Sequence, residues 1–310
     1  MLLKKYHRSI LISCAALFLV IKSGAQFREP GVIKDVFNHA EFTATLGANN
    51  FLGDLGGNLG RGTHFLKDYT WKSIRPLGGL SLAYYPQNWY QLKVGFNFTT
   101  VDGADSLIHP TSDLARWRIY RNLSFRSHIF EAYVKGEFYP LIFFNSGYTV
   151  RKIDPFVDLG VGVFHFNPQA QLNGQWYDLQ PLHLEGEGFA EYPGRKNYKL
   201  TKIYLPFSVG VKYFINDDIS FSSGVEFRKS FTDYIDDVST TYIDPKLFDK
   251  YLTPDEAAIA KQLYSRSLRP EKVKPGIIRG FSNHNDTYIT GFISISILLH
   301  KRVPFYYGGM

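Results

Sequence analysis

The sequence predicts an all-β fold: an eight-stranded antiparallel up-and-down transmembrane β-barrel with short periplasmic turns, long extracellular loops and a short helix in the last loop. Three observations predict it. Eight segments alternate apolar and polar residues with a period of two. The connections between them are long and short in strict turn, so all the long ones fall at one end of an up-and-down barrel. Most segments run about nine to thirteen residues, enough to cross the apolar core of a bilayer at a tilt of about 45°.

The chain of 310 residues opens on a basic stretch, MLLKKYHRS, followed by the apolar run Ile10 to Ile21. That run is too short to span a bilayer, and Ser23-Gly24-Ala25 places small residues at the −3 and −1 positions of a cleavage site. Residues 1–25 therefore read as a cleaved Sec signal peptide, and 26–310 as a single outer-membrane β-barrel domain. The only cysteine, Cys14, lies inside the signal. Acylation of Cys14 is disfavoured because the apolar run continues past it. A mature chain without cysteine has no disulfide framework and no thiolate metal site. The formal charge of +7 also shrinks on cleavage, because Lys4, Lys5, Arg8 and Lys22 leave with the signal: 31 bases against 28 acids, or +3. Such a mixed surface gives no reason to expect a nucleic-acid partner.

Each strand presents two chemically different faces. In Glu41–Ala48 the apolar set is Phe42, Ala44 and Leu46; in Gly79–Tyr85 it is Leu80, Leu82 and Tyr84. In Tyr90–Thr99, Leu92, Val94, Phe96 and Phe98 oppose Gln91, Lys93 and Asn97. In Arg126–Tyr139, Phe130, Ala132, Val134 and Phe138 oppose Glu131, Tyr133, Lys135 and Glu137. In Phe156–Phe166, Val157, Leu159, Val161 and Val163 oppose Asp158 and two glycines. The last three strands, Ile203–Phe214, Ile219–Arg228 and Thr287–Leu299, place Lys212, Glu226 with Arg228, and Ser294 with Ser296 on their polar faces. Alternation alone does not say which face is inside. The sorted connections do: tight turns at Pro86–Trp89 and Asn216–Asp218, a medium one at Pro140–Pro155, and long loops between the other strands. Outer-membrane barrels have this asymmetry, and their apolar face meets lipid. Tyr84, Tyr85, Trp89, Tyr90, Phe138, Tyr139, Tyr213 and Phe214 gather beside the short turns, as an aromatic girdle would.

Eight strands enclose a lumen only wide enough for side chains. Its inward set holds the acids Glu41, Glu131, Glu137, Asp158 and Glu226, and the bases Lys93, Lys135, Lys212 and Arg228. Unpaired charges in so narrow a space would each cost several kcal/mol. A paired plug, rather than an open pore, is the expectation.

The last long loop opens on FTDYIDDVSTTYID, where alternation stops and Asp233, Tyr234, Asp236 and Asp237 crowd together. The aspartates invite a calcium reading, but they lack EF-hand spacing, and the site is read as holding no metal. Further on, Thr253 is placed as a helix N-cap, Pro254 at the first helical position and Glu256 as the reciprocal partner of the cap. Catalytic motifs are absent. His64, His109, His128, His165, His183 and His284 fall near the long-loop end, but their spacing pairs no nucleophile with a base. No catalytic residue and no cofactor is assigned.

Five stretches, NNFLGDLGG (Asn49 to Gly57), RPLGGLSLAYY (Arg75 to Tyr85), RNLSFRSHIFEAYVKGEF (Arg121 to Phe138), PFVDLGVGVFHFNP (Pro155 to Pro168) and TDYIDDVSTTYID (Thr232 to Asp244), resemble the PorG-like outer-membrane barrels associated with the type IX secretion system. Arg121–Phe125 and Asp233–Ser239 are the most specific pieces. The resemblance implies a non-enzymatic component that anchors or assembles a secretion apparatus, through periplasmic ring proteins of the PorK and PorN kind and with outer-membrane lipid around it. Asn145 and Tyr148, in the medium periplasmic turn, are the expected partner contacts. The chain departs from the family pattern in its longer outer loops. It also ends in PFYYGGM, which moves the terminal aromatic signal to Phe305, Tyr306 and Tyr307. The rival readings are an outer-membrane enzyme acting on lipid or peptide, and a surface receptor or adhesin using the Tyr-rich loops.

Overall fold

Each of the eight alternating segments becomes a strand of an antiparallel ladder. The computed structural model describes residues 40–55, 71–87, 89–108, 113–144, 152–216, 218–282 and 284–299. Residues 1–25, expected to be a signal, and residues 305–307 lie outside these. The strands are β1 (Ala40–Leu52), β2 (Arg75–Gln87), β3 (Tyr90–Ala104), β4 (Ser124–Phe138), β5 (Ile153–Leu172), β6 (Gln175–Asp178), β7 (Thr201–Phe214), β8 (Ile219–Ser230) and β9 (Thr287–Leu298). Eight of them pair in the order β4-β3-β2-β1-β9-β8-β7-β5, and a further β4–β5 pairing closes the ring. The ninth, β6, folds back on the tip of β5 outside the ring. Helices α1 (Asp113–Arg121), α2 (Pro140–Phe144), α3 (Lys246–Tyr251) and α4 (Pro254–Leu263) all lie in the connections.

The register stacks like on like across the outward face. Val134 stands opposite Val94 on one side and Val161 on the other, and Val209 stands between Val157 and Val225. Such β-branched cross-strand pairs stabilise a ladder. These valines are about half exposed. A continuous apolar belt of this extent far exceeds the few hundred Å² that soluble proteins leave open, so it is a bilayer-facing surface. Local chemistry sets the short turns. The Asn216 side chain accepts from the backbone N–H of Asp218 (2.9 Å) and Ile219 (2.7 Å), an Asx turn joining β7 to β8.

The strands run further than their apolar alternation suggests. The expected loop starts after β1, β3 and β5 are still strand, because the polarity of the two faces inverts near the long-loop end. Thr100, His128 and His165 point outward there, while Val101, Ile129, Phe164 and Phe166 point in and are buried. Above the bilayer the outside is water, so apolar residues gain by turning inward. The inward aromatics build a core with Phe51, Phe125, Tyr204 and Tyr288 above the charged lumen. Gly162 leaves room for it: a Cβ there would come 2.3 Å from the Tyr204 ring.

The girdle needs a correction. Tyr84, Trp89, Tyr90, Phe138 and Tyr213 are partly exposed, but Tyr85 and Tyr139 are buried and point into the lumen. Neighbours along a strand face opposite ways, so a Tyr-Tyr or Phe-Tyr doublet contributes one ring to each side. Phe214 likewise turns in, with Lys212 Nζ 5.9 Å from its ring.

Candidate functional site

The lumen charges meet in pairs. Lys93 bonds Glu137 at 2.6 Å, Lys212 bonds both oxygens of Glu41 at 2.7 Å, and Arg228 bridges Glu131 (2.8 Å) and Glu226 (2.9 Å). Lys135 bonds Glu226 and stands 3.9 Å from Asp158. All nine inward charges predicted from the sequence thus lie within ion-pair distance of an opposite charge. Neutral groups fill the gaps: the Tyr85 hydroxyl donates to Glu41 (2.8 Å), Asn97 donates to Glu131 (2.7 Å), and Thr43 and Ser296 bond across the β1–β9 seam (2.8 Å). The space left is a cavity of about 40 Å³. That is room for about three waters, not a solute path.

Above this plug, four outer loops close on one another around the Asp-rich segment. Asp236 accepts from the backbone N–H of Leu55 (2.9 Å) and of Val238 (3.0 Å), tying the first loop to the last. Asp237, with a left-handed φ of 60° that aspartate tolerates, accepts from the Tyr198 hydroxyl (2.7 Å) of the third loop. The Tyr198 and Tyr234 rings stack at 4.4 Å. Glu185 accepts from the backbone N–H of Ser239 (3.0 Å) and Thr240 (2.7 Å), and binds Arg279 at 2.9 Å. From the second loop, Arg121 forks onto Asp105 with two 2.8 Å bonds, donates to the Asp54 carbonyl (2.8 Å) and reaches the Arg279 carbonyl. The backbones pass so closely that a Cβ on Gly280 would come 2.5 Å from the Ser239 nitrogen and 2.6 Å from Asp54 Oδ2. The Asp-rich stretch is therefore a buried clamp, not a solvated run.

The clamp carries more acids than arginines. Arg118 and Arg121 face Asp105, and Arg279 faces Glu185 and Asp237. Among the described residues, no cation lies within ion-pair distance of Asp233, Asp236, Asp286 or the half-buried Asp54. Burial, reinforced by Asp54 and Asp236, pushes the Asp233 carboxyl up to about 10. Burial, with Asp236, Asp233 and Asp54 behind it, holds Asp286 well above the carboxylate range. Burial, followed by the neighbouring Glu185, raises Glu187 to about 7. Among the described residues, no three His, Cys, Asp or Glu side chains are placed to hold a metal ion.

Sequence reasoning singled out Asp233, Tyr234, Asp236 and Asp237 and missed the rest of the clamp. Asp54, Asp105, Glu185 and Asp286 are scattered over four loops, and Arg279 sits in an unremarkable IIRG. The signal within reach was Arg121–Phe125, whose arginine fork and buried Leu123 and Phe125 form the other side. Three of the stretches singled out in the sequence, around Asp54, Arg121 and Asp233, converge here. The predicted cap of α4 forms as a reciprocal capping box between Thr253 and Glu256. This helix packs its Ala257, Ala260 and Leu263 on loop residues Leu182, Leu184, Phe189 and Phe248. The β5–β6 hairpin went unread although Asn173-Gly174, both with positive φ, is a strong hairpin signal.

His128 and His165 stand apart from the clamp, whereas His183 lies beside Asn197 and Glu187 of the third loop. His128 Nδ1 is 3.0 Å from Thr100 Oγ1 and His165 Nδ1 is 3.1 Å from Thr201 Oγ1, both pairs on the outward face. His64 and His109 lie outside the described residues, as do Asn145 and Tyr148. The described part of their turn, α2, places Phe143 against Trp89 (5.1 Å) and Phe138 (5.4 Å) on the bilayer-facing side.

No protein-family model and no curated protein matches the chain. Solved structures similar to it are small outer-membrane barrels. Neisserial surface protein A is 8% identical at a TM-score of 0.37, covering 84% of this chain and 96% of that one. The N-terminal barrel domain of Pseudomonas aeruginosa OprF is 7% identical at 0.34, over 84% and 98%. The outer-membrane enzyme PagL is 12% identical at 0.30, over 83% and 98%.

Proposed function

We propose that this chain is a non-enzymatic outer-membrane barrel that serves as a structural anchor in a protein-secretion apparatus of the type IX, PorG-like kind. One observation carries the reading: the residues most specific to the resemblance are spent on locking the outer loops together over an ion-paired lumen. A barrel closed in its middle and capped at its outer end offers a rigid fixture in the membrane. Its periplasmic turns and termini are the surfaces through which ring proteins of the PorK and PorN kind would dock. Gentle purification of the tagged protein tests this, together with deletion of its gene. A co-purifying periplasmic protein and a secretion defect are expected; intact secretion with no envelope protein bound overturns the reading.

A second reading has its own observation. The cross-strand pairs Thr100–His128 and His165–Thr201 set a hydroxyl beside an imidazole at the outer rim, where an enzyme acting on lipid would work. Neither ring has a carboxylate hydrogen-bonded to it among the described residues. Altered membrane lipid in cells carrying His128→Ala or His165→Ala would favour this alternative.

A further inference from the structure

The acids of the outer clamp lack countercharge in one identifiable place. Asp286 and Asp233 are more than nine-tenths buried, and Asp286 Oδ1 and Asp233 Oδ2 have no hydrogen-bond partner among the described residues. Asp286 Oδ1 sits against Gly53, where a Cβ would come 2.3 Å from it. The carboxylates acting on this pair include Asp54 from the first loop and Asp236 from the last. The third loop adds Glu185, which Arg279 answers. From the second loop, Arg121 and Arg118 act on Asp54, but both fork toward Asp105. An ionised carboxylate left buried and unpaired costs several kcal/mol, so the group takes up a counter-ion or a proton instead. Among the described residues, no three ligating side chains converge here on a metal position.

We propose that the outer clamp is a proton-holding device: Asp233 and Asp286 stay as neutral carboxylic acids when the four loops are closed, and rising pH loosens the loops by ionising them. The elevated proton affinity of both groups agrees with this. A closed clamp that favours the acid form binds protons which the opened loops release. Closure is therefore strongest in acid, below the ordinary carboxylate range, and is lost as the pH climbs toward the closed-state values. Each retained proton makes opening about tenfold easier per pH unit across that window. The ion-paired barrel beneath is unaffected, so the change is confined to the outer surface.

Hydrogen exchange on the full chain in bilayer nanodiscs reads this residue by residue. The backbone N–H groups of Ile235, Val238 and Leu55 bond directly to Asp286 and Asp236. Corrected for intrinsic exchange, their protection is expected to fall at least about tenfold between about pH 6 and pH 9, while strand amides of β7 stay constant. Asp286→Asn and Asp233→Asn, neutral copies of the proposed acid form, are expected to keep the protection at neutral pH and flatten the pH slope. Infrared difference spectra supply an independent readout in the unsubstituted protein: a carboxylic-acid carbonyl band at neutral pH that weakens in either variant. Protection constant from about pH 6 to pH 9 would overturn the proposal. So would loss of protection in both asparagine variants at neutral pH, or protection that rises with calcium and vanishes with chelator, which would assign a metal instead.

Discussion

Arg228 shows how much one side chain carries in so narrow a lumen. Its guanidinium bridges Glu131 and Glu226 and donates to Thr290 at 2.7 Å, and it is 1% exposed. A neutral pair of side chains could replace a buried ion pair at little cost, but removing one partner leaves the other charged and dry. Arg228→Leu is therefore expected to destabilise the barrel by about 3–5 kcal/mol, read as a lower urea midpoint after refolding into phospholipid vesicles. An unchanged midpoint would mean that the lumen is wetter than its geometry indicates. The parity of the inward charges was legible in the sequence because strand period two is rigid. Which acid meets which base was not, since partners such as Lys212 and Glu41 stand 171 residues apart in the chain.

At the scale of elements, the capping box of α4 was readable residue by residue because every interaction in it is local. Thr253→Ala removes the hydroxyl that accepts from the Glu256 N–H. A local loss of about 1 kcal/mol is expected, seen as faster amide exchange in the first turn of α4 with the barrel strands unchanged. The ends of β3, β4 and β5 were not readable in the same way. Their alternation breaks where the surroundings change from lipid to water, and a pattern break looks like a strand end. Phe164 and Phe166 carry the ladder onward with the faces exchanged, a phase slip that hydropathy alone does not separate from a loop.

For the whole molecule, two expectations follow from closure. The lumen is expected to give no steady conductance in planar-bilayer recordings, and a lasting open channel would contradict the ion-paired plug. The outward belt is expected to reject charge: Val209→Arg, in the middle of β7, should cost about 2–4 kcal/mol in a bilayer. The same substitution at Thr201, above the belt on the same face, should cost far less. Equal costs at the two depths would remove the belt from the bilayer. Together these measurements map where lipid ends and water begins along a single strand.

The sequence by itself determined the eight strands of the ring, the inward and outward sets within the bilayer, the sorting of long and short connections and the helix in the last loop. Each depends on neighbours a few residues apart, so its signature is written locally. Only the tertiary structure decided that the acidic segment is a buried clamp and that the outer strand ends turn inside out. Those outcomes depend on residues brought together from loops far apart in the chain and on the level at which the solvent changes, and neither quantity has a local signature.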